Sequence, residues 1–154
     1  MINDTIEPIA KFGDITVGRL NSQYRYSSEL LINSSLNPGD NGWGLTNESK
    51  GFQVSVTEPL TQAIHVEEGL KYRASITSKC SKAMTKGRVQ INWMDKNGKF
   101  LDTSIMIYDC SAQYSEFEME ALPPKNATTA VFYLNSHTPI PVQISKASLK
   151  AIYF

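Results

Sequence analysis

At residues 88–94 the chain reads Arg-Val-Gln-Ile-Asn-Trp-Met, so that apolar and polar side chains alternate along the segment. A period of two is typical of a β-strand with one buried face, because successive side chains point to opposite sides of the sheet. In this interpretation Val89, Ile91 and Trp93 face the core, while Gln90 and Asn92 face outwards. Similar patterns predict further strands at residues 29–33, 51–57, 61–66, 71–77, 103–108, 115–121, 130–135 and 141–152.

Turn-forming residues separate the predicted strands. Proline, glycine or asparagine occurs at residues 37–42, 67–69, 95–98 and 123–126, where these residues favour loops and hairpins. No stretch keeps a helical period over three turns. The pattern predicts an all-β fold, an antiparallel β-sandwich or jelly roll. We assign the sandwich to residues 29–154, and residues 1–28 to an N-terminal extension or an edge strand around Ile15, Val17 and Leu20.

Composition indicates one globular domain that binds neither nucleic acid nor a membrane core. The 154 residues are 41% hydrophobic and 19% charged, within the range of globular proteins. Fifteen basic residues balance fifteen acidic ones, so no basic surface for nucleic acid is expected. No apolar run approaches the ~20 residues of a membrane span. No signal peptide is visible, which leaves open a cytoplasmic protein or export as part of a larger chain.

The two cysteines, Cys80 and Cys110, are too few for a disulfide framework and match no zinc motif. They are compatible with one bridge in an exported protein or with free thiols in a cytoplasm. They are equally compatible with two small side chains that fill a core. The sequence leaves these alternatives open.

Several landmarks follow one another along the chain. They are residues 30–37, Gly-Trp at 42–43, the strand–turn–strand of 61–66 and 69–75, the strand of 87–93 with Asp-Lys-Asn-Gly at 95–98, the late strand pair of 122–134, and the closing strand of 142–149. Their order resembles the jelly-roll carbohydrate-binding modules with a galactose-binding-like fold, especially those attached to bacterial glycan-active enzymes. The resemblance covers about residues 29–154. It implies an accessory domain that binds a polysaccharide or oligosaccharide without transforming it, and whose partners could include a catalytic domain in the same parent chain.

The resemblance also implies a structural calcium ion, which that family holds with a Glu at the end of the opening strand and an Asp in the closing strand. Here those places hold Asn37 and the Ser-Lys-Ala-Ser stretch of residues 145–148. Because a lysine repels a hard cation that needs carboxylate oxygens, the sequence disfavours this calcium. We therefore expect neither a metal site nor a cofactor.

Sugar recognition needs an exposed aromatic ring beside planar polar side chains. Five outward-facing strand residues supply such groups and would line one concave face if their strands share a sheet: Arg73, Gln90, Asn92, Tyr133 and Asn135. The alternative is an ordinary solvated face. Two more candidates are Tyr108, whose facing is ambiguous because residues 105–107 are all apolar, and His137, on a loop after its strand. Trp93 shares the phase of the core positions, and Trp43 is either a plug at the end of the sandwich or a ligand contact.

Catalytic signatures are absent from the sequence, which has no nucleophile elbow, phosphate-binding glycine loop or His-Glu-x-x-His motif. Glu116, Glu118 and Glu120 lie on one face of one predicted strand, whereas a glycosidase needs two carboxylates facing across a cleft. We therefore expect no catalytic residues. The alternative function is a structural or protein–protein interaction module on the same sandwich, such as a spacer or an oligomerisation domain of a tail-fibre-like assembly. A small glycan-active enzyme is a third hypothesis.

Overall fold

The computed structural model describes residues 25–36, 43–45 and 53–153, and within them the chain forms ten β-strands and no helix. No helix long and apolar enough to cross a membrane is therefore found among these residues. The strands are β1 (Arg25–Tyr26), β2 (Gly44–Leu45), β3 (Gln53–Val54), β4 (Leu60–His65), β5 (Tyr72–Lys79), β6 (Lys86–Met94), β7 (Phe100–Asp109), β8 (Ser115–Ala121), β9 (Thr129–Ser136) and β10 (Val142–Tyr153).

The strands form two antiparallel sheets that pack against each other. The front sheet has the strand order β2-β4-β9-β6-β7, and the back sheet has the order β1-β10-β5-β8, with β3 also paired to β10. Most neighbours in a sheet are distant in sequence, so the chain crosses repeatedly between the sheets, as it does in jelly rolls. The predicted all-β sandwich is confirmed.

The core lies between the sheets and is built from the alternating positions of the long strands. Phe132 and Leu134 of the front sheet are fully buried, as are Ile76 and Leu149 of the back sheet. Trp93 is 1% exposed, which confirms its predicted core position. Its indole N–H donates to the Ser104 hydroxyl at 2.9 Å, so the ring is buried without leaving its polar atom unpaired.

The predicted strand at residues 29–33 is wrong, because this segment forms a turn. Asn33 has a φ of 55°, a left-handed conformation that ends an extended run. The Gln62 side chain takes the place of a neighbouring strand: it accepts from the Ile32 N–H at 2.7 Å and donates to the Ile32 carbonyl at 3.0 Å. A side-chain amide can satisfy both backbone groups of one residue, which removes the need for a strand partner there.

Other predicted segments differ in extent or lie outside the described residues. Of the strand predicted at 51–57, residues 51–52 lie outside the described residues and residues 53–54 form β3. The strand ends there, because a turn follows in which the Glu58 N–H donates to the Ser55 hydroxyl at 3.1 Å. The possible edge strand around residues 15–20 and the loop at 37–42 fall outside the described part of the chain. The remaining predicted strands are present, with ends shifted by a few residues.

The predicted hairpin at residues 95–98 joins β6 to β7. Asp95 accepts from the Asn97 and Lys99 N–H groups at 2.8 and 2.9 Å. These two backbone donors stabilise the carboxylate and lower the pKa of Asp95 below its usual value. Gly98 supplies the positive φ, 80°, that closes the turn.

Cys80 and Cys110 form a disulfide, with their Cα atoms 6.1 Å apart. Cys80 follows β5 of the back sheet and Cys110 follows β7 of the front sheet. The bridge therefore ties the two sheets together at one end of the sandwich. The structure therefore has the disulfide, and not the free thiols or unbridged core side chains that the sequence also allows.

Candidate functional site

The outer side of the front sheet, called the front face here, carries the aromatic and amide side chains that the sequence singles out. Tyr133 of β9 lies at its centre, directly opposite Gln90 of β6 on one side and Thr61 of β4 on the other. Asn92 follows Gln90 along β6, on the same face. Gln90, Asn92 and Tyr133 are half-buried, so the front face presents a tyrosine ring beside two amides.

Hydrogen bonds between neighbouring side chains fix the two amides. The Gln90 side-chain N–H and the Thr103 hydroxyl both donate to the Asn92 amide oxygen, each at 2.9 Å. The Asn92 amino group and the Gln90 amide oxygen make no hydrogen bond to the described residues. The two Asn92 N–H groups, the second Gln90 N–H and the Gln90 amide oxygen therefore remain available on a pre-oriented network, which suits sugar hydroxyls, since each hydroxyl can donate and accept.

Asn135 lies on the front face but is not exposed to a ligand, because only 5% of it is accessible. It is directly opposite Arg88 of β6, and its amide oxygen accepts from Arg88 Nε at 3.2 Å. Asn135 therefore positions Arg88, a residue that the sequence analysis missed. The signal was present, since Arg88 has the same phase as Gln90 and Asn92 in the segment of residues 88–94.

Tyr108 points into the core, which corrects its assignment as a ligand contact. It lies opposite Gly87, and its ring stacks on Phe117 of the back sheet with centroids 4.4 Å apart. Gly87 makes this packing possible, because a Cβ there would lie 2.1 Å from the Tyr108 ring. The Tyr108 hydroxyl is buried near Ser78, yet neither hydroxyl reaches hydrogen-bonding geometry. Burial raises the pKa of Tyr108 above its usual value.

Arg73 lies on the outer side of the back sheet, so it does not share a face with the other candidates. Its guanidinium pairs with Glu118, donates to the Tyr26 hydroxyl at 2.6 Å and lies 5.4 Å from that ring. The Glu118 and Tyr26 contacts raise the pKa of Arg73. These groups border a shallow depression of about 220 Å³ that Lys146 and Lys150 also line.

The remaining two candidates are His137 and Trp43. His137 follows β9 and is exposed, and its backbone N–H donates to the Lys86 carbonyl at 2.7 Å. This places it beside β6 at the far end of the front face from the Asp95 hairpin. Trp43 packs against the core, its ring 6.3 Å from that of Phe132, and its indole N–H donates to the Asn33 carbonyl at 3.0 Å. These contacts close the core beside the edge strand β2, so they favour a packing role for Trp43 over a ligand contact.

Two of the three glutamates of β8 form ion pairs, and the three do not face one another across a cleft. Glu118 pairs with Arg73, and Glu120 pairs with Lys71 at 3.5 Å. All three project outwards from one strand of the back sheet. They do not reproduce the two opposed carboxylates of a glycosidase.

No group of three or more His, Cys, Asp or Glu side chains among the described residues is arranged to hold a metal ion. Of the two places where the resemblance implies calcium ligands, Asn37 lies outside the described residues. In the closing strand, the Ser148 hydroxyl and the Leu149 N–H donate to the Glu29 carboxylate at 2.6 and 2.7 Å. That carboxylate attaches the segment after β1 to β10.

Comparisons with known proteins identify solved structures that have the same architecture. No protein-family model and no curated protein sequence matches the chain. Among solved structures, the xylan-binding CBM22-1 domain of Paenibacillus barcinonensis Xyn10C superimposes with a TM-score of 0.60 over 82% of this chain and 96% of that domain, at 12% identity. The chain has the fold of carbohydrate-binding modules. At this level of identity the likeness concerns the fold alone.

Two larger proteins contain the same fold as one part. The enzymatically active domain of bacteriophage CBA120 tailspike protein 4 matches with a TM-score of 0.60 and 14% identity over 80% of this chain. The CBM22-1–GH10 modules of Clostridium thermocellum xylanase 10B, complexed with xylohexaose, match with a TM-score of 0.58 and 12% identity over 80% of it. The chain spans only 21% and 28% of those two chains.

Proposed function

We propose that this chain is a non-catalytic carbohydrate-binding domain that holds a polysaccharide or oligosaccharide on its front face. The observation that carries the proposal is Tyr133, a half-exposed ring at the centre of a sheet face, flanked by the Gln90 and Asn92 amides and by Arg88. A ring can stack on the C–H side of a sugar while amides and guanidinium bind its hydroxyl groups. The fold shared with carbohydrate-binding modules supports this use of the face.

The geometry of the front face suits reversible binding more than chemistry. The face is a sheet surface with no enclosing cleft among its described residues, so a sugar would bury only one side. Binding in the micromolar to millimolar range, roughly −8 to −4 kcal/mol, is what such a shallow contact supports. The described residues also lack opposed carboxylates that could cleave a glycosidic bond.

Weak binding is useful when the domain is tethered to another activity. A linked domain that holds a polymer raises the local concentration of that polymer for its neighbour. The matches to parts of a phage tailspike protein and of a xylanase support a role as one domain of a larger chain. The nature of a companion domain, catalytic or adhesive, is part of the proposal.

A glycan array probed with the purified domain tests this function. We expect selective binding by the wild type and its loss in Tyr133→Ala, because the stacking surface is removed. Tyr153→Ala is the matched control: it deletes the same side chain from an exposed position of the back sheet. Circular dichroism and melting curves establish that both variants fold.

The two variants separate the function from its location. Binding lost in Tyr133→Ala and kept in Tyr153→Ala supports the front face. Binding that survives Tyr133→Ala moves the site elsewhere, with the Arg73 depression as the next surface to test. Absence of binding to every glycan would overturn the proposed function.

A second candidate function rests on the exposed apolar residues of β7. Ile105 and Ile107 are each 47% exposed on the outer side of this edge strand, and Phe100 is 53% exposed. Apolar groups on an unpaired edge favour contact with another chain. Concentration-dependent oligomers that Ile105→Ser and Ile107→Ser abolish would support an oligomerisation module.

A further inference from the structure

Lys86 and Arg88 are the two basic residues on the described strands of the front sheet, and they differ in how their charge is compensated. Arg73, Lys71 and Lys86 pair with Glu118, Glu120 and Asp109 respectively. Arg88 is half-buried and makes one hydrogen bond, from Nε to the neutral Asn135. No carboxylate among the described residues contacts it. A partly desolvated guanidinium without a counter-charge is an unfavourable arrangement that an anionic ligand would relieve.

The surroundings of Arg88 are almost free of acidic groups. Among the outward positions of β4, β6, β7 and β9, the one carboxylate is Asp109, and Lys86 already pairs with it. The acidic stripe of the chain lies on the back sheet instead. The chain carries no net charge, yet the described outward positions of the front-sheet strands carry Asp109 as their single carboxylate. An incoming anion would therefore meet attraction there and little repulsion.

The contact with Asn135 leaves the outer edge of the guanidinium free. The amide oxygen of Asn135 takes the Nε hydrogen, and this buried residue holds the group in one orientation. Both terminal nitrogens then remain available, and their paired N–H groups match the two oxygens of a carboxylate. Tyr133 lies diagonally across from Arg88 on the neighbouring strand, because Arg88 faces Asn135 and Gln90 faces Tyr133. Diagonal positions of this kind are about 7–8 Å apart.

We propose that the front face selects acidic glycans, in which sugar residues carry a carboxylate, as in uronic acid polymers. The carboxylate binds Arg88 in a bidentate manner, and the adjoining sugar ring stacks on Tyr133. This inference rests on the proposed function, since it names the ligand class of the same face. It makes Arg88 the specificity-determining residue and Asn135 the residue that positions it.

Isothermal titration calorimetry with paired ligands tests the proposal. Oligosaccharides from several uronic acid polymers, among them pectate, alginate and glucuronoxylan, are compared with their carboxyl-reduced forms, which keep the linkages and lose the charge. We expect at least one uronate to bind about tenfold more tightly than its reduced partner, the size of effect expected for a charge-assisted bidentate contact. The preference should weaken as salt is added.

Substitutions at Arg88 assign the preference to this residue. Arg88→Gln removes the charge and keeps a donor near Asn135, so it should abolish the preference: the uronate and its reduced form should then bind with similar affinity. Arg88→Lys keeps the charge without the bidentate fork and should retain only part of the preference. Melting curves of both variants exclude unfolding as the cause.

Each outcome addresses a different claim. Equal affinity for every uronate and its reduced form, or a preference that survives Arg88→Gln, would overturn the acidic specificity. If neutral glycans bind in a manner that Tyr133→Ala abolishes while uronates do not bind, the carbohydrate-binding function stands and this inference fails. If no glycan of either kind binds, the proposed function itself fails.

Discussion

Removing the Cys80–Cys110 bridge should cost this domain a large share of its stability. The two cysteines are separated by 30 residues and connect strands of different sheets. In the chain-entropy relation, a loop of this length restricts the unfolded state by about 12 cal/mol/K, which corresponds to about 3.6 kcal/mol at 25 °C. For a domain of this size, each kcal/mol shifts the melting temperature by about 2–4 °C. We therefore expect a decrease of about 7–14 °C.

The assay compares melting curves of the wild type, oxidised and reduced, with those of the Cys80→Ala/Cys110→Ala variant. Reduction of the wild type should lower the melting temperature, while the same reductant should leave the variant unchanged. The variant measures the small additional cost of losing two sulfur atoms from a packed position. A reduced wild type that melts within about 2 °C of the oxidised protein would refute the reasoning.

Three further predictions concern packing and buried polar groups. Gly87→Ala should destabilise the fold by roughly 2–3 kcal/mol, because the added Cβ would overlap the Tyr108 ring. Chemical denaturation should show a smaller loss of stability from Gly87→Ala when Tyr108→Leu is also present, because the ring is then absent. Tyr108→Phe should be neutral or stabilising, since the hydroxyl it removes has no hydrogen-bond partner. Above about pH 10 the unfolded chain releases the Tyr108 proton, while the folded chain retains it because its pKa is raised. The free energy of unfolding of the wild type should therefore fall more steeply with rising pH than that of Tyr108→Phe. Gln62→Leu should cost about 2–3 kcal/mol by leaving both backbone groups of Ile32 unpaired, whereas Gln143→Leu, at an exposed position, should cost less than about 0.5 kcal/mol.

Alternation predicted most of the strands because each has one buried and one solvated face. Along residues 88–94 every inward position is buried and every outward one is partly accessible. The same signal identifies Arg88 as a member of the front face. Alternation is a local signal: it indicates on which side of a sheet a residue lies, but not in which sheet.

Sheet membership is not local, and this explains the misplacement of Arg73. Arg73 faces outwards, as predicted, but β5 pairs with β8 and β10 of the back sheet. The facing of Tyr108 depends on a glycine in another strand, and the turn at residues 29–33 depends on a Gln62 side chain some 30 positions away. Such contacts arise only when the chain is folded, so a period along the sequence does not reveal them.

The bridge between Cys80 and Cys110 has a mechanical consequence for a domain that is tethered at its ends. Tension applied to the chain on either side passes from one cysteine to the other through the sulfur atoms and bypasses residues 81–109 between them. Roughly 100 Å of chain, at ~3.4 Å per residue, therefore cannot extend under this tension. That segment contains all of β6, and with it Arg88, Gln90 and Asn92. A bound polymer under load would pull on a strand that cannot be drawn out of the domain until the bridge is reduced.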